Sequence, residues 1–243
     1  MRSWLAWVMA ATIAATAEAA PDGCALPQEQ AFLDSSLPTT ARRLKAGGEL
    51  RVVVFGTALA AGVGVSSTER GFPARLLAYL HERRGADGAA VVVKAYSGVT
   101  TKQMAERILD DIMPQRPDVV IWQTGTVDAV RGTDINDFGD ALSAGVALLR
   151  GRRIDVILVN PQFGSRISAT VDMAPYLDYM ERIADMHDVV LFRRWDAMRT
   201  YANEGRVKLD AVSREKQQAA ADWVHDCIGR LLAHEILTAK PEP

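Results

Sequence analysis

Hydroxyl and carboxylate side chains follow several apolar runs of this chain, where they could take part in nucleophilic chemistry. Thr57 follows the first of these runs, Ser97 the second and Asp128 the third, and Asp210 precedes the last amphipathic segment. A hydroxyl attacks an acyl or glycosyl carbon only when a neighbouring base takes its proton. These residue types therefore predict acyl transfer only if the folded chain also brings a base to them.

The elements that must position these residues alternate along the chain. Short β-branched runs without polar alternation are typical of strands buried on both faces of a parallel sheet, and the longer segments between them suit crossover helices. The sequence therefore predicts a three-layer α/β/α domain with a five-stranded parallel sheet. We predict strands over 51–55, 90–94, 118–123, 154–160 and 189–192, and helices over 73–84, 101–112, 135–150 and 176–186, with a last helix beginning at Ser213.

Ligands of such a sheet bind beyond the carboxyl ends of the strands, and we expect the histidines to lie elsewhere. His81 lies near the end of the first predicted crossover helix, and His187 lies just before the fifth strand. His225 lies 12 residues beyond Ser213, about 18 Å along the last helix, and His234 is farther still. No loop at this edge carries two histidine or cysteine residues, so we expect no metal site and no cofactor.

Three segments at this edge carry a family resemblance. They read Gly-Thr-Ala-Leu at 56–59, Tyr-Ser-Gly-Val at 96–99 and Gly-Thr-Val-Asp at 125–128. In this order they resemble the first three motif blocks of the SGNH (GDSL) hydrolases, over roughly residues 50–232. The resemblance implies the SGNH-hydrolase fold, with a flavodoxin-like five-stranded parallel sheet, and an ester-hydrolysing ancestry.

The resemblance also implies where catalytic groups would stand, and three of those positions are degenerate. Ala58 replaces the nucleophilic serine, and a methyl group cannot attack a carbon. Val127 replaces an asparagine donor, the kind of oxyanion contact that supplies roughly 3 to 4 kcal/mol in comparable sites. Ser213 replaces the histidine base. Only Gly98 and Asp210 match the family, so we expect no catalytic residues.

The polar groups left at this edge are candidate ligand-binding residues, although each also has a simpler structural interpretation. Gly98 could only permit a tight turn, and Asp210 could be a turn residue. Asp128 could bond the loop backbone, and Ser213 could be the N-cap of the last helix. The candidate ligand-binding residues are Thr57, Ser97, Gly98, Thr126, Asp128 and Asp210.

These residues favour an exported pseudoenzyme that binds a cell-envelope glycan, an acyl ester or a partner protein through the inherited cleft. An active esterase or carbohydrate deacetylase is the first alternative, with Asp128 or Asp210 as base and a nearby hydroxyl as nucleophile. An envelope assembly factor without a small-molecule ligand is the second. Because 28 basic and 30 acidic residues nearly cancel, nucleic-acid binding is not expected.

The start of the chain has the pattern of an export signal. A positive start, an apolar stretch and Ala17-Glu18-Ala19 predict a signal peptide over 1–19, and an uncleaved anchor is the alternative. Beyond it we expect an N-terminal arm over 20–49, a domain over 50–236 and a tail over 237–243. The mature chain should contain no membrane span and reside in the periplasm or outside the cell.

Export makes the two cysteines of the chain interpretable. An oxidising compartment favours disulfides, and a single pair leaves no odd thiol. We therefore predict a bridge between Cys24 and Cys227, which would tie the arm to the last helix. Two free buried thiols are the alternative.

Overall fold

The computed structural model describes residues 23–241, so the predicted signal peptide lies outside the described residues. Strands and helices alternate along this part of the chain. The strands are β1 (Phe32–Leu33), β2 (Leu50–Gly56), β3 (Ala89–Ala95), β4 (Val119–Gln123), β5 (Asp155–Val159) and β6 (Val190–Phe192). The helices are α1 (Gln28–Ala31), α2 (Pro38–Ala46), α3 (Phe72–Arg84), α4 (Thr101–Ala105), α5 (Thr126–Arg131), α6 (Ile135–Arg150), α7 (Ser165–Thr170), α8 (Ala174–Met186), α9 (Arg194–Asn203) and α10 (Arg214–Leu237).

The strands form one sheet in the order β1-β6-β5-β4-β2-β3. Strands β2 to β6 pair in parallel, and their order is that of a flavodoxin-like sheet. The predicted three-layer α/β/α architecture is confirmed. The predicted count of five strands is wrong by one, because Phe32 and Leu33 pair antiparallel with β6. Two residues are too short a run to show strand periodicity in a sequence.

The core lies on both faces of this sheet, as the unbroken apolar runs predict. Val52 and Val54 of β2 pack with helices α3 and α10 on one face. Val53 and Phe55 pack on the other face, against the cluster that includes α6 and α8. Since successive strand side chains point to opposite faces, β2 contributes to both halves of the core.

Several helix ends follow from local hydrogen bonding. Thr100 and Gln103 form a capping box at the start of α4, and the Ser213 side chain accepts a hydrogen bond from the backbone N–H of Lys216. Ser213 is therefore the N-cap of α10, as its residue type predicts. The predicted helix 101–112 is shorter than expected, because a π-turn over Ile108–Ile112 interrupts it.

Trp122 packs against a glycine of α6, which gives a test of this packing. A Cβ atom on Gly145 would lie 2.4 Å from Cη2 of Trp122, and that ring is fully buried. Gly145→Val is therefore expected to lower the free energy of unfolding by about 3 kcal/mol, because an overfilled core must shift. Urea unfolding measures the change. Ala147→Val, on the exposed face of the same helix, controls for β-branching, and an equal loss in both variants would contradict the packing argument.

Cys24 and Cys227 form a disulfide, with their Cα atoms 5.1 Å apart. This confirms the predicted pairing and joins the segment before α1 to the middle of α10. The hydroxyl of Tyr201 donates to the backbone oxygen of Cys24 at 2.7 Å, so α9 also holds this segment. Among residues 23–241, no helix is both long and apolar enough to cross a membrane.

Candidate functional site

The turn after β2 is tied to the end of β4 by one buried amide. The backbone N–H and the hydroxyl of Thr57 both donate to Oε1 of Gln123, at 3.2 Å each. Gly56 has no room for a side chain, because a Cβ atom there would lie 2.6 Å from Cβ of Ala60. The Thr57 hydroxyl therefore has an amide oxygen as acceptor, which does not take its proton. Ala58, the next residue, is half-buried.

Asp128 is buried in α5, and its carboxylate accepts hydrogen bonds from the first residue of α4. Its two carboxylate oxygens accept from the Thr101 N–H at 3.1 Å each, and one also accepts from the Thr101 hydroxyl at 2.8 Å. That hydroxyl lies 2.6 Å from Oγ1 of Thr124. Burial raises the pKa of Asp128, against the opposing effect of these hydrogen bonds. The carboxylate faces inward, as the simpler structural interpretation predicts, and is occupied by protein groups.

The other polar residues of the predicted cleft lie around this network. Ser97 and Gly98 are exposed in the turn after β3, where Gly98 has a φ of 70° that favours glycine. Thr126 is half-buried, and its hydroxyl oxygen has no hydrogen-bond partner in the described part of the chain. Val127 is half-buried beside it in α5. That helix has no periodic signal in the amino-acid sequence, since Gly125 and Gly132 flank only six residues.

The last motif block is not joined to this network by hydrogen bonds. Asp210 is exposed in the turn before α10, and Ser213 caps that helix. The structure thus brings Thr57 to Gln123, and Asp128 to Thr101 and Thr124. It leaves Asp210 outside, where its carboxylate has no imidazole to orient.

A cavity of about 520 Å³ lies beside the turn after β2, on the side of α10. We call it the α10 cavity. It is a cleft open to the surface, lined by the turn 59–65, the loop 162–164 after β5, Leu209, helix α9 and residues 214–228 of α10. None of the six predicted ligand-binding residues lines this cavity. This cavity therefore begins one residue after Ala58, at Leu59, and lies away from the hydrogen-bonded network.

His225 lines the α10 cavity, which is distinct from the motif-block cleft from which its place in the chain predicts it to be distant. The cavity runs along the side of α10 and not only at its start, so a residue 12 positions after Ser213 still lines it. The ring is buried, and its Nδ1 accepts the backbone N–H of Phe72 at 3.0 Å. A neutral imidazole that accepts at Nδ1 carries its proton on Nε2. Burial, with a smaller effect of Arg194, lowers the pKa of His225 to about 4. His225 is thus held as a neutral donor and not as a base.

Arg194 also lines the α10 cavity, and the sequence reasoning missed it. It is the first residue of α9 and is only 2% exposed, and its Nε and Nη2 atoms have no partner among the described residues. Burial lowers its pKa to about 9, so the guanidinium remains positively charged at neutral pH. An arginine two residues after a buried strand, at the carboxyl edge of the sheet, is the signal that could have identified it.

The parallel strand order and the glycine turn after β2 are those expected of the SGNH-hydrolase fold. The chain belongs to the non-GDSL lipase-like family, whose sequence model matches residues 23–241. The lipase-like description of this family agrees with the resemblance that the three motif blocks carry. A search of curated proteins finds no match. In the part of the chain that the structure describes, no group of three or more His, Cys, Asp or Glu residues could hold a metal ion.

Solved structures of esterases share this fold. A catalytic mutant of Axe2, an acetylxylan esterase from Geobacillus stearothermophilus, is 18% identical, with a TM-score of 0.63 over 78% of this chain and 95% of that one. The acetyl xylan esterase AlAXEase is 20% identical, with a TM-score of 0.58 over 71% and 96%. AlinE4, an SGNH-hydrolase family esterase, is 22% identical, with a TM-score of 0.54 over 68% and 86%. At these identities the likeness shows the fold.

Proposed function

We propose that this family member has lost ester hydrolysis and acts as an exported binding protein, whose ligand occupies the α10 cavity. The observation that carries the proposal is the state of the chemical groups beside that cavity. Ala58, Val127 and Ser213 stand where the superfamily has its nucleophile, oxyanion donor and base. The histidine that does line the cavity, His225, already accepts a backbone N–H at Nδ1. A hydroxyl near this cavity therefore has no base.

The cavity supports ligand binding better than the predicted cleft does. Asp128 and Thr57 are buried and bonded to protein groups, whereas the α10 cavity has about 520 Å³ of space. Cavities of this size hold small molecules. Two of the similar structures are named acetylxylan esterases, so acetylated glycans and acyl esters are the first ligands to test. The Cys24–Cys227 disulfide supports export, since such bonds persist in oxidising compartments.

Ester hydrolysis by the purified chain 20–243 tests the loss of chemistry. With p-nitrophenyl esters from acetate to decanoate, and with acetylated xylo-oligosaccharides, we expect release no faster than in buffer. Ala58→Ser is expected to be equally inactive, because the added hydroxyl still lacks a base. Turnover that Asp210→Ala or Asp128→Asn abolishes would contradict the proposal and establish the rewired esterase instead.

Binding by the same protein tests the second half of the proposal. Ala221 lines the α10 cavity and Ala219, on the same helix, is exposed away from it. Ala221→Phe is therefore expected to weaken binding of these glycans and esters, and Ala219→Phe to leave it unchanged, by isothermal titration calorimetry. Equal effects of the two substitutions would place the ligand elsewhere. Absence of both hydrolysis and binding would favour an assembly factor.

A further inference from the structure

Arg194 lines the α10 cavity, and no ion pair balances its charge among the residues that the structure describes. Its side chain is 2% exposed, and Nε and Nη2 have no hydrogen-bond partner among the described residues. A buried guanidinium without a counter-ion is destabilising, because the charge has left water without an opposite charge to replace it. Buried charges in folded proteins are as a rule paired, so an anionic ligand would supply the partner that Arg194 lacks.

The neighbours of Arg194 provide no carboxylate. In the described part of the chain, no Asp or Glu lines the α10 cavity, and Arg214 adds a second positive charge to the lining. His225 donates rather than accepts on its free side, since Nδ1 is occupied by the Phe72 N–H. The adjacent Arg193 differs, because it pairs with Glu181 at 2.9 Å. The cavity is therefore positive in character and has donors in excess.

The rest of the lining is largely apolar. It includes Leu59, Val63, Val65, Met198, Val224 and Ile228. A small inorganic anion would leave this apolar surface and most of the 520 Å³ unused. An acyl chain would cover it, and each methylene it buries there would favour binding. The lining thus combines one unpaired cation with a wall that suits hydrocarbon.

We propose that the α10 cavity binds a carboxylate attached to an apolar body, such as a medium-chain fatty acid, with Arg194 as the counter-ion of the carboxylate. The planar guanidinium matches a carboxylate with two parallel hydrogen bonds. Nε2 of His225 is a further donor on the same wall. This inference deepens the proposed function, because it rests on the use of the same cavity for ligand binding. It names the acid that an acyl ester would yield, and not the ester itself.

Calorimetric titration of the purified chain 20–243 with decanoate and decanol tests the proposal. The two probes share an apolar body and differ in charge. We expect decanoate to bind at least tenfold more tightly than decanol, which reflects the usual strength of charge-assisted hydrogen bonds. Equal affinity for the two probes would overturn the role of the charge. Galacturonate, a carboxylate on a polar body, and inorganic phosphate serve as further probes. If either of them binds and decanoate does not, the proposal that the ligand has an apolar body is wrong.

A pair of arginine variants in α9 tests whether Arg194 is the counter-ion of the bound carboxylate. Arg194→Met is expected to weaken decanoate binding at least tenfold and to leave decanol binding unchanged. Arg199→Met is the matched control, since Arg199 pairs with Asp196 on the exposed side of the same helix, and it is expected to bind like the wild-type protein. Unchanged decanoate affinity of Arg194→Met would refute the assignment.

Thermal unfolding gives a readout that does not depend on a variant being well folded. Decanoate is expected to raise the Tm of the wild-type protein, and decanol to raise it less. Arg194→Met without ligand is expected to have a Tm equal to or above that of the wild type, since an unpaired buried charge is removed. The ester assays distinguish the two proposals, because ester turnover with Arg194-dependent decanoate binding would overturn only the loss of hydrolysis.

Discussion

Replacing both cysteines, as Cys24→Ala with Cys227→Ala, is expected to lower the free energy of unfolding by on the order of 5 kcal/mol. The bridge closes a loop with a sequence separation of 203 residues. In the chain-entropy description, such a loop restricts the unfolded chain strongly and so favours the folded state by about that amount. Both sulfurs belong to buried residues, so some loss of packing adds to the effect. Guanidinium unfolding of the oxidised proteins measures the difference.

A reduced sample separates the crosslink from packing. With a thiol reductant present, the wild-type protein and the double alanine variant are expected to differ by no more than about 2 kcal/mol, the scale of a small core truncation. The Tyr201 hydroxyl bonds the backbone oxygen of Cys24 rather than its side chain, so this contact is expected to be the same in both proteins. If the full difference persists under reduction, the bridge itself contributes little to stability.

Lowering the pH from 7 to 4 is expected to destabilise the wild-type protein through His225, by about 3 kcal/mol. The pKa of this imidazole falls from an ordinary 6.5 to about 4 on folding. Between these pH values the unfolded chain binds a proton on His225 and the folded chain does not, so stability decreases as the pH falls through this window. Each pH unit of that shift corresponds to about 1.4 kcal/mol.

A variant comparison isolates this effect from other titrations. The pKa values of Asp128, Asp155 and Glu235 are raised, mainly by burial. These carboxyl groups bind a proton more readily in the folded chain, so they increase the stability as the pH falls, opposite to the effect of His225. His225→Gln keeps those groups and is expected to lose the part of the pH dependence that belongs to His225. His234→Gln, at an exposed position of the same helix, serves as the control. Parallel urea-unfolding profiles for the wild type and His225→Gln would contradict the argument.

The sequence predicts the parallel strands and most of the crossover helices, because their signals are local. Helix α6 has the predicted bounds, Ile135–Arg150, since an N-cap aspartate, an apolar stripe and a final glycine all agree. The sequence patterns do not predict the two-residue strand β1 or the short helix α5. Their formation depends on pairing with β6 and on the bond between Asp128 and Thr101, which are long-range contacts.

The site is predicted less well than the fold, for a geometric reason. Motif blocks correctly indicate that Ala58 lies in the turn after β2. They do not show that the polar groups of Thr57 and Asp128 are hydrogen-bonded to Gln123 and Thr101. Nor do they show that α10 crosses beside the turn 59–65 and so brings His225 next to Arg194. Such relations depend on how helices pack, and a single sequence has no signal for the angle between them.

The position of the disulfide has a consequence for the order in which the chain can be completed. Cys24 lies near the beginning of the described chain and its partner lies 203 residues later, while β1 pairs with β6, the last strand of the sheet. Because ribosomes make the amino end first, the segment around Cys24 is synthesised long before its partners, and the bridge can close only after Cys227 has emerged. A chain truncated before residue 190 can therefore form neither the bridge nor the β1–β6 pair.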